Sequence, residues 1–335
     1  MKAPFEKLPD DAAERLERSD PPDSVRPMLA TLTERRFSEP DWIYERKLDG
    51  ERCMTLRRGS SLRLLSRNSK ELNETYPELA DALSEQDAES FAVDGEIVAF
   101  EGRVTSFSRL QQRMQISDPE EARRSGVKVY YYLFDLLYLG GYDTTGVPLR
   151  HRKALLRQAL RFADPIRFTA HRNEDGEAYY REACRKGWEG IIAKRADSGY
   201  AHTRSRDWLK FKCVNQQEFV VGGYTDPQGE RVGFGALLIG YYDEDELKYA
   251  GKVGTGYDDE TLERLSDRLA AIERKTPAFG EEDLPRNGVH WVTPELVAEV
   301  GFTEWTDDGK LRHPRFLGLR RDKQARQVKR EQAKG

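Results

Sequence analysis

Between Asp41 and Val214, short apolar runs alternate with turns and with stretches of helical spacing. FAVDGEIVAF (91–100) and VYYYLFDLLYLGG (129–141) are rich in β-branched and aromatic residues, which suit a pleated surface, so both read as buried strands. RKALLRQALRFA (152–163) and EAYYREACRKG (177–187) place apolar residues at helical intervals, with Gly187 positioned to end the second helix. Strand and helix mix without a strict βαβ rhythm, which predicts an α+β unit rather than a doubly wound sheet. From Asn215 the pattern changes: QEFVVGGYT (217–225), FGALLIGYY (234–242) and LKYAGKVGTG (247–256) predict three strands joined by polar turns. One helix follows, with Leu262, Leu265, Leu269 and Ile272 on a face and Asp258 as its N-cap. HWVTP, FTEWT and RFLGLRR supply later strands. A small β-rich unit with one inserted helix suits an OB-like barrel, and other small barrels share the pattern. The expected organisation is a loosely ordered polar lead-in over 1–24, a first domain over 25–214 and a second over 215–335, with a hinge near 213–216.

Composition adds limits. The 335 residues suffice for two domains with separate cores, and 38% hydrophobic with 34% charged residues is a soluble, heavily charged composition. No window approaches the ~18 apolar residues that span a bilayer, and MKAPFEKLPDDAAERLERSD lacks the apolar stretch of a signal peptide. A cytoplasmic protein without membrane contact is expected. The net charge of −4 argues against coating nucleic acid by bulk positive charge. Its distribution is uneven, with ten Lys/Arg against two acidic residues from Lys310 to Gly335, which taken alone reads as a solvated basic tail. Cys53, Cys184 and Cys213 are widely separated and odd in number, which fits reduced thiols better than a disulfide framework. No Cys/His spacing suggests zinc, so a metal here would be a hard cation on oxygen ligands.

The chemistry begins at YERKLDGER (44–52). A lysine attacks phosphorus only as the free amine, and its ordinary pKa of about 10.4 must be lowered by nearby cations or a metal. Lys47 has Arg46 and Arg52 beside it, Asp49 to orient the amine, and Gly50 to let backbone approach a phosphate. Alone, K-x-D-G is also an ordinary charged hairpin. In SRNSKE (66–71) Arg67 can clamp a phosphate, or be a surface arginine in a turn. FAVDGEIVAF puts Asp94 and Glu96 on one side of an apolar strand, where paired carboxylates need a partner. A turn at Asp94–Gly95 accounts for the first; Glu96 is a candidate Mg²⁺ ligand. Phe134 in LFDLLYLGG is either a purine-stacking platform or a core aromatic. WEGIIAKR (188–195) repeats a carboxylate, Glu189, beside a buried strand that ends in Lys194. WLKFK (208–212) sets Lys210 and Lys212 on one face, where like charges repel unless an anion lies between them. Lysines guarding a strand edge explain WLKFK alone, but not the whole series.

Taken in order, these segments resemble the covalent nucleotidyltransferase family of ATP-dependent DNA ligases. KLDG, SRN, VDGEIV, LFDLLYL, EGIIAK and WLKFK match successive motifs, and RRDK (320–323) matches the last, R-x-D-K. MLATLTERRFSEPDWIYERKLDGER and LRHPRFLGLRRDK look like the ligase domain of prokaryotic ligase D, the end-joining ligase. The resemblance implies an adenylation domain of mixed and antiparallel sheets with helices, followed by an OB-fold barrel. It implies that Lys47 takes AMP from ATP, with Asp49 supporting it, Glu45 reading the adenine amino group and Phe134 stacking on the ring. Arg52 and Arg67 would hold ribose and phosphate oxygens, Glu96 and Glu189 a divalent metal (Mg²⁺, with Mn²⁺ as substitute). Lys210 and Lys212, joined by Lys194, would neutralise the α-phosphate, and Arg320 and Lys323 would reach the pyrophosphate.

The implied activity is nick sealing in three phosphoryl transfers, in DNA repair, recombination or end joining. Implied partners are nicked duplex DNA, a Ku-type end-binding protein, and separate polymerase and phosphoesterase proteins, for which 335 residues leave no room. A monomer near the nucleoid is expected. The rival readings are an RNA ligase or capping-type enzyme, and a DNA-binding protein without catalysis. The FDLLYL strand and ligase D-like flanks favour the DNA ligase.

Overall fold

The apolar runs of the first half form two sheets. One is built on Val129–Leu139, Ser90–Glu101, Glu51–Arg58 and Ser61–Ser66, each antiparallel to the next. The other runs His171–Asn173, Trp42–Lys47, Gly190–Arg195, Arg204–Lys212 and Leu29–Leu32, the last pair parallel. This computed structural model describes residues 4–213, 215–227, 229, 232–281, 284–306 and 308–331. The chain divides into two units, the first ending at Cys213 and the second running Val214–Gln332. The expected hinge includes Val214, which lies outside the described residues.

Strand alternation sorts the first unit into layers. On the first sheet Cys53, Val93, Ile97, Tyr131 and Leu133 face the helices and meet Leu79, Leu110 and Leu155. The opposite face, with Met54, Ala92, Phe134 and Leu137, packs on Ile192 and Trp208 of the second sheet. The second sheet's far face carries Tyr44, Ile191 and Phe211 against Tyr179 and Ala183 of the helix Gly176–Arg185. The two sheets therefore face each other, and their polar residues meet in the space between.

Several expectations shift. The helix read over 152–163 spans Leu149–Ala159. Asp94–Gly95 is not a turn: Ser90–Glu101 is one strand, and the irregularity is a register shift against Val129–Leu139 between Asp94 and Gly95. The lead-in is not loose, because Phe5 and Ala12 are buried and Glu17–Arg18 pairs with Tyr142–Asp143. A polar average concealed those two anchors. The cysteine expectation also fails. Cys184, near the end of Gly176–Arg185, is disulfide-bonded to Cys213, 29 positions on. Only Cys53 among the described cysteines is free, buried, its thiol pushed up to about 12 by that burial. Spacing along the chain gave no sign that the fold brings Cys184 and Cys213 together.

In the second unit Asn215–Thr225 pairs with Leu237–Asp243, Val289–Val292 and Val297–Phe302. Glu246–Val253 extends one side, and Arg315–Arg320 pairs with Val297–Phe302. The helix Asp259–Ala270 starts at Asp258, whose carboxylate accepts from the Thr261 N–H at 2.8 Å. Leu262, Leu265 and Leu269 enter the core with Phe219, Ile239 and Phe316, while Ile272 lies past the helix end. Among the described residues the pairing does not close into a barrel. The basic tail is largely folded: Phe316 and Leu319 join the core and Val328 is fully buried. Among the described residues, no helix is long and apolar enough to cross a membrane.

Candidate active site

Three strands of the second sheet place their side chains in register. Lys47 stands opposite Gly190, which stands opposite Lys212; Glu45, Ile192 and Lys210 form the next row; Ile43, Lys194 and Trp208 the third. Residues in one row of a sheet share a face. Lys47, Lys210 and Lys212 thus lie on one surface: Lys210 and Lys212 are two apart, and the register sets Lys47 in the row of Lys212. Gly190 has no side chain between Lys47 and Lys212, and a Cβ there would lie 2.0 Å from the Phe211 carbonyl oxygen.

The Lys47 ammonium donates to the Glu189 carboxylate. Burial alone would lower its pKa, but Glu189, then Asp49 and Glu96, more than reverse this and raise it above the usual lysine value. The expected activation by flanking arginines is not what the structure holds. Arg46, one residue away, points to the other face and lies 4.3 Å from the Trp188 ring centroid. Arg52 is held by Asp94 through two bonds of 2.5 Å, and Asp94 also accepts from Tyr200 at 2.6 Å. That ion pair explains the buried Asp94. Gly50, expected to approach a phosphate, instead passes the neighbouring strand so closely that a Cβ would sit 2.1 Å from the Ile97 carbonyl oxygen.

Glu96 is the cross-strand partner of Arg52, beside Lys47 in space though on the other sheet. Asp49 follows in the turn, its N–H bonded to Thr105 Oγ1 at 3.2 Å. Arg67 comes directly after Ser66, the partner of Cys53, and so lies at the Arg52 end of the first sheet. Among the described residues no three His, Cys, Asp or Glu side chains are grouped to hold a metal. Glu189, which holds the Lys47 ammonium, and Glu96, whose charge also favours it, are nevertheless hard oxygen donors.

Glu45 is held by two lysines, and Lys194 departs from its expected place. Both Glu45 oxygens are engaged, Oε1 by Lys153 at 2.5 Å and Oε2 by Lys194 at 2.7 Å. Burial would raise the Glu45 pKa, but the two lysines win and lower it. Lys194 is not in a phosphate cluster with Lys210 and Lys212. It is buried one row further along, 4.1 Å from the Phe134 centroid and 4.0 Å from that of Trp208. Burial is the main cause that brings it down to about 8. Phe134 is no open platform either, since it is buried with the Arg52 guanidinium 4.7 Å from its centroid. Lys153, Tyr200 and the Arg152–Asp135 pair were not foreseen. One signal was available: Arg152 and Lys153 fall near the start of a helix with no acidic residue in its first turn, where cations are unfavourable without a counter-charge.

In the second unit, Arg320 binds Asp322 at 2.7 and 2.8 Å and Glu299 at 2.8 Å, and Lys323 pairs with Glu218 at 2.9 Å. Burial would lower the Arg320 pKa; Asp322 and Glu299 raise it well above the ordinary value.

The chain matches the model of the ATP dependent DNA ligase domain over residues 27–212 and that of the ATP dependent DNA ligase C terminal region over 230–323. It is 40% identical over 323 residues to the multifunctional non-homologous end joining protein LigD of Pseudomonas aeruginosa, covering 94% of this chain and 37% of that protein. It is 36% identical over 317 residues to the multifunctional non-homologous end joining DNA repair protein LigD of Mycobacterium tuberculosis, covering 92% of this chain and 40% of that one. The chain thus spans well under half of these relatives. A solved structure of mycobacterial DNA ligase D complexed with ATP and MES is similar at a TM-score of 0.66 and 33% identity, covering 92% of this chain and 98% of that one.

Proposed function

Because the chain belongs to the ATP-dependent DNA ligase family, with an adenylation domain followed by an OB-fold domain, we propose that it seals 3′-hydroxyl/5′-phosphate nicks in duplex DNA through a covalent Lys47–AMP intermediate. The observation that carries this reading is the single face on which Lys47, Lys210 and Lys212 stand, with Glu189 on the Lys47 amine and the charge of Glu96 acting on it. Lys47 Nζ attacks the α-phosphate of ATP, the bond to the bridging oxygen breaks, and pyrophosphate leaves. AMP then passes to the 5′-phosphate of the nick, and the 3′-hydroxyl displaces it. Each step gathers negative charge at phosphorus, where Lys210 and Lys212 supply fixed positive charge.

Lys47 must shed its proton and leave Glu189 before it attacks. A divalent cation, Mg²⁺ or Mn²⁺, held by Glu189 and Glu96 would neutralise the carboxylates that hold the ammonium and polarise the phosphate. Mg²⁺ commonly takes one or two carboxylates, with waters and substrate phosphates completing its shell, and the pair fits that requirement. Arg52 and Arg67 lie at one end of the first sheet, suited to ribose and phosphate oxygens. Arg320 and Lys323 would orient the pyrophosphate in the first step, once their carboxylate partners release them. The reading extends to repair or end joining in the cytoplasm near the nucleoid, as a monomer working with an end-binding protein of the Ku type.

Incubation with α-labelled ATP and Mg²⁺, then denaturing electrophoresis, tests the first step; a chase with nicked duplex DNA tests the rest. Label on the protein that transfers to DNA and is released on sealing is expected. Labelling by GTP instead would point to a capping-type enzyme, and no labelling to a binding protein.

A further inference from the structure

Lys153 lies on Leu149–Ala159, a helix that buries three leucines and Arg152, and its own side chain is only 1% exposed. An ammonium has three protons and no lone pair, so a buried one needs three acceptors. Lys153 has three: Glu45 Oε1 at 2.5 Å, the Thr169 carbonyl at 3.0 Å and the Phe134 carbonyl at 3.4 Å. Its full complement ties the Lys47 strand, the Phe134 strand and the approach to His171–Asn173 to one point. Two of its three acceptors belong to Glu45 and Phe134, the residues to which the resemblance assigns the base of the nucleotide.

We propose that Lys153 is a positioning residue that sets purine selectivity, by holding Glu45 as a pure hydrogen-bond acceptor beside Phe134. This inference rests on the ligase reading above. A purine with a 6-amino group presents a donor, and one with a 6-oxo group presents an acceptor. An ionised carboxylate only accepts, whereas a protonated one also donates. Glu45 is buried, and burial favours its protonated form; what opposes this is Lys153 first, then Lys194. Lys194 is the weaker anchor, itself brought down to about 8, largely by burial. His171, the cross-strand partner of Glu45, is pushed towards its neutral form by burial and by Lys153. Without Lys153, Glu45 and Lys194 would share one proton in an apolar slot, and the carboxyl would no longer reject a 6-oxo purine. Sites that hydrogen-bond a substrate group discriminate strongly because the wrong analogue leaves buried polar atoms unpaired.

The test is self-adenylation of the full chain with α-labelled ATP and, separately, α-labelled inosine triphosphate, comparing kcat/KM for the two. In Lys153→Met the preference for ATP is expected to fall about tenfold or more, while Lys153→Arg retains most of it. Glu45→Gln, whose amide both donates and accepts, loses preference too, and adding Lys153→Met to it changes little further. Equal loss for both nucleotides in Lys153→Met, with the ratio intact, makes the residue merely structural and overturns the proposal. Should Lys153→Met not fold, Glu45→Gln decides: an unchanged ratio there also overturns it. A wild-type chain labelled by neither nucleotide would sink the ligase reading itself, a result distinct from labelling with an unaltered preference.

Discussion

Lys47 ends one strand and Glu189 immediately precedes the strand beside it, Lys47 level with Gly190, and the Lys47 ammonium rests on the Glu189 carboxylate. The nucleophile is therefore kept in its unreactive, protonated form by the residue best placed to help release it. Lys47→Ala should abolish enzyme–AMP formation and the sealing of an unadenylated nick, since no other lysine shares its position. Persistent labelling of the alanine variant would move the nucleophile elsewhere.

Glu189→Ala and Glu96→Ala should each lower sealing about 10²–10³-fold, the range for losing one preorganised charge-stabilising group. The loss should be partly recovered at high Mg²⁺ or Mn²⁺, because the second carboxylate and the phosphates still bind the cation. Turnover near wild type for both variants, with circular dichroism unchanged, would reduce them to structural partners of Lys47.

What was legible in the sequence was whatever strand periodicity controls. Lys210 with Lys212, and Asp94 with Glu96, were each assigned one face by counting in twos, and the structure has the two pairs on facing sheets. What was not legible depends on residues far apart. Arg52 was read as an activator of Lys47, but Asp94, 42 positions on, claims it. Glu45 was read as the group that meets the adenine amino group, and nothing in that reading pointed to Lys153, 108 positions on, which holds it. Val297–Phe302 passed unread although it pairs on both sides, because VAEVGF carries a glutamate and a glycine in the middle of a short apolar run. Phe5 went unread for a similar reason, as a single aromatic within a polar stretch.

Arg152 and Asp135 form a wholly buried ion pair at 2.7 and 2.9 Å, and Arg152 also caps the Val147 and Ser198 carbonyls. Removing one member leaves an uncompensated buried charge, at a cost of about 3–5 kcal/mol. Arg152→Met should lose that much in urea unfolding followed by a probe of the first unit. A loss under about 1 kcal/mol would mean that water reaches Asp135.

The Cys184–Cys213 bond closes a loop with a sequence separation of 29. Loop-closure entropy gives it about 3–4 kcal/mol of stabilisation through the unfolded state. Reductant should lower the melting temperature of the wild type and leave a Cys184→Ser/Cys213→Ser variant unmoved. Identical melting of the wild type with and without reductant would show that the thiols are free in solution.

Arg320 and Lys323 admit three roles, and two assays with one melt separate them. Both are held by carboxylates of their own unit, Arg320 by Asp322 and Glu299, Lys323 by Glu218. If these pairs are only structural, Lys323→Ala should lower the stability of the second unit and damage every reaction in proportion. If the two residues contact DNA phosphates, Arg320→Lys and Lys323→Ala should weaken binding with a reduced salt slope, and hurt both steps that use DNA. The expected outcome is the third. Self-adenylation with ATP should drop sharply, while closing a pre-adenylated nick, which releases no pyrophosphate, stays within a few-fold of wild type. A site needed in one step and not the next can be supplied by a unit that moves between them. The carboxylate partners fit that use, because Glu218, Glu299 and Asp322 give the two cations a resting place while no phosphate claims them. Equal losses on ATP with nicked DNA and on pre-adenylated nicks would remove the pyrophosphate role and leave the ion pairs as scaffolding.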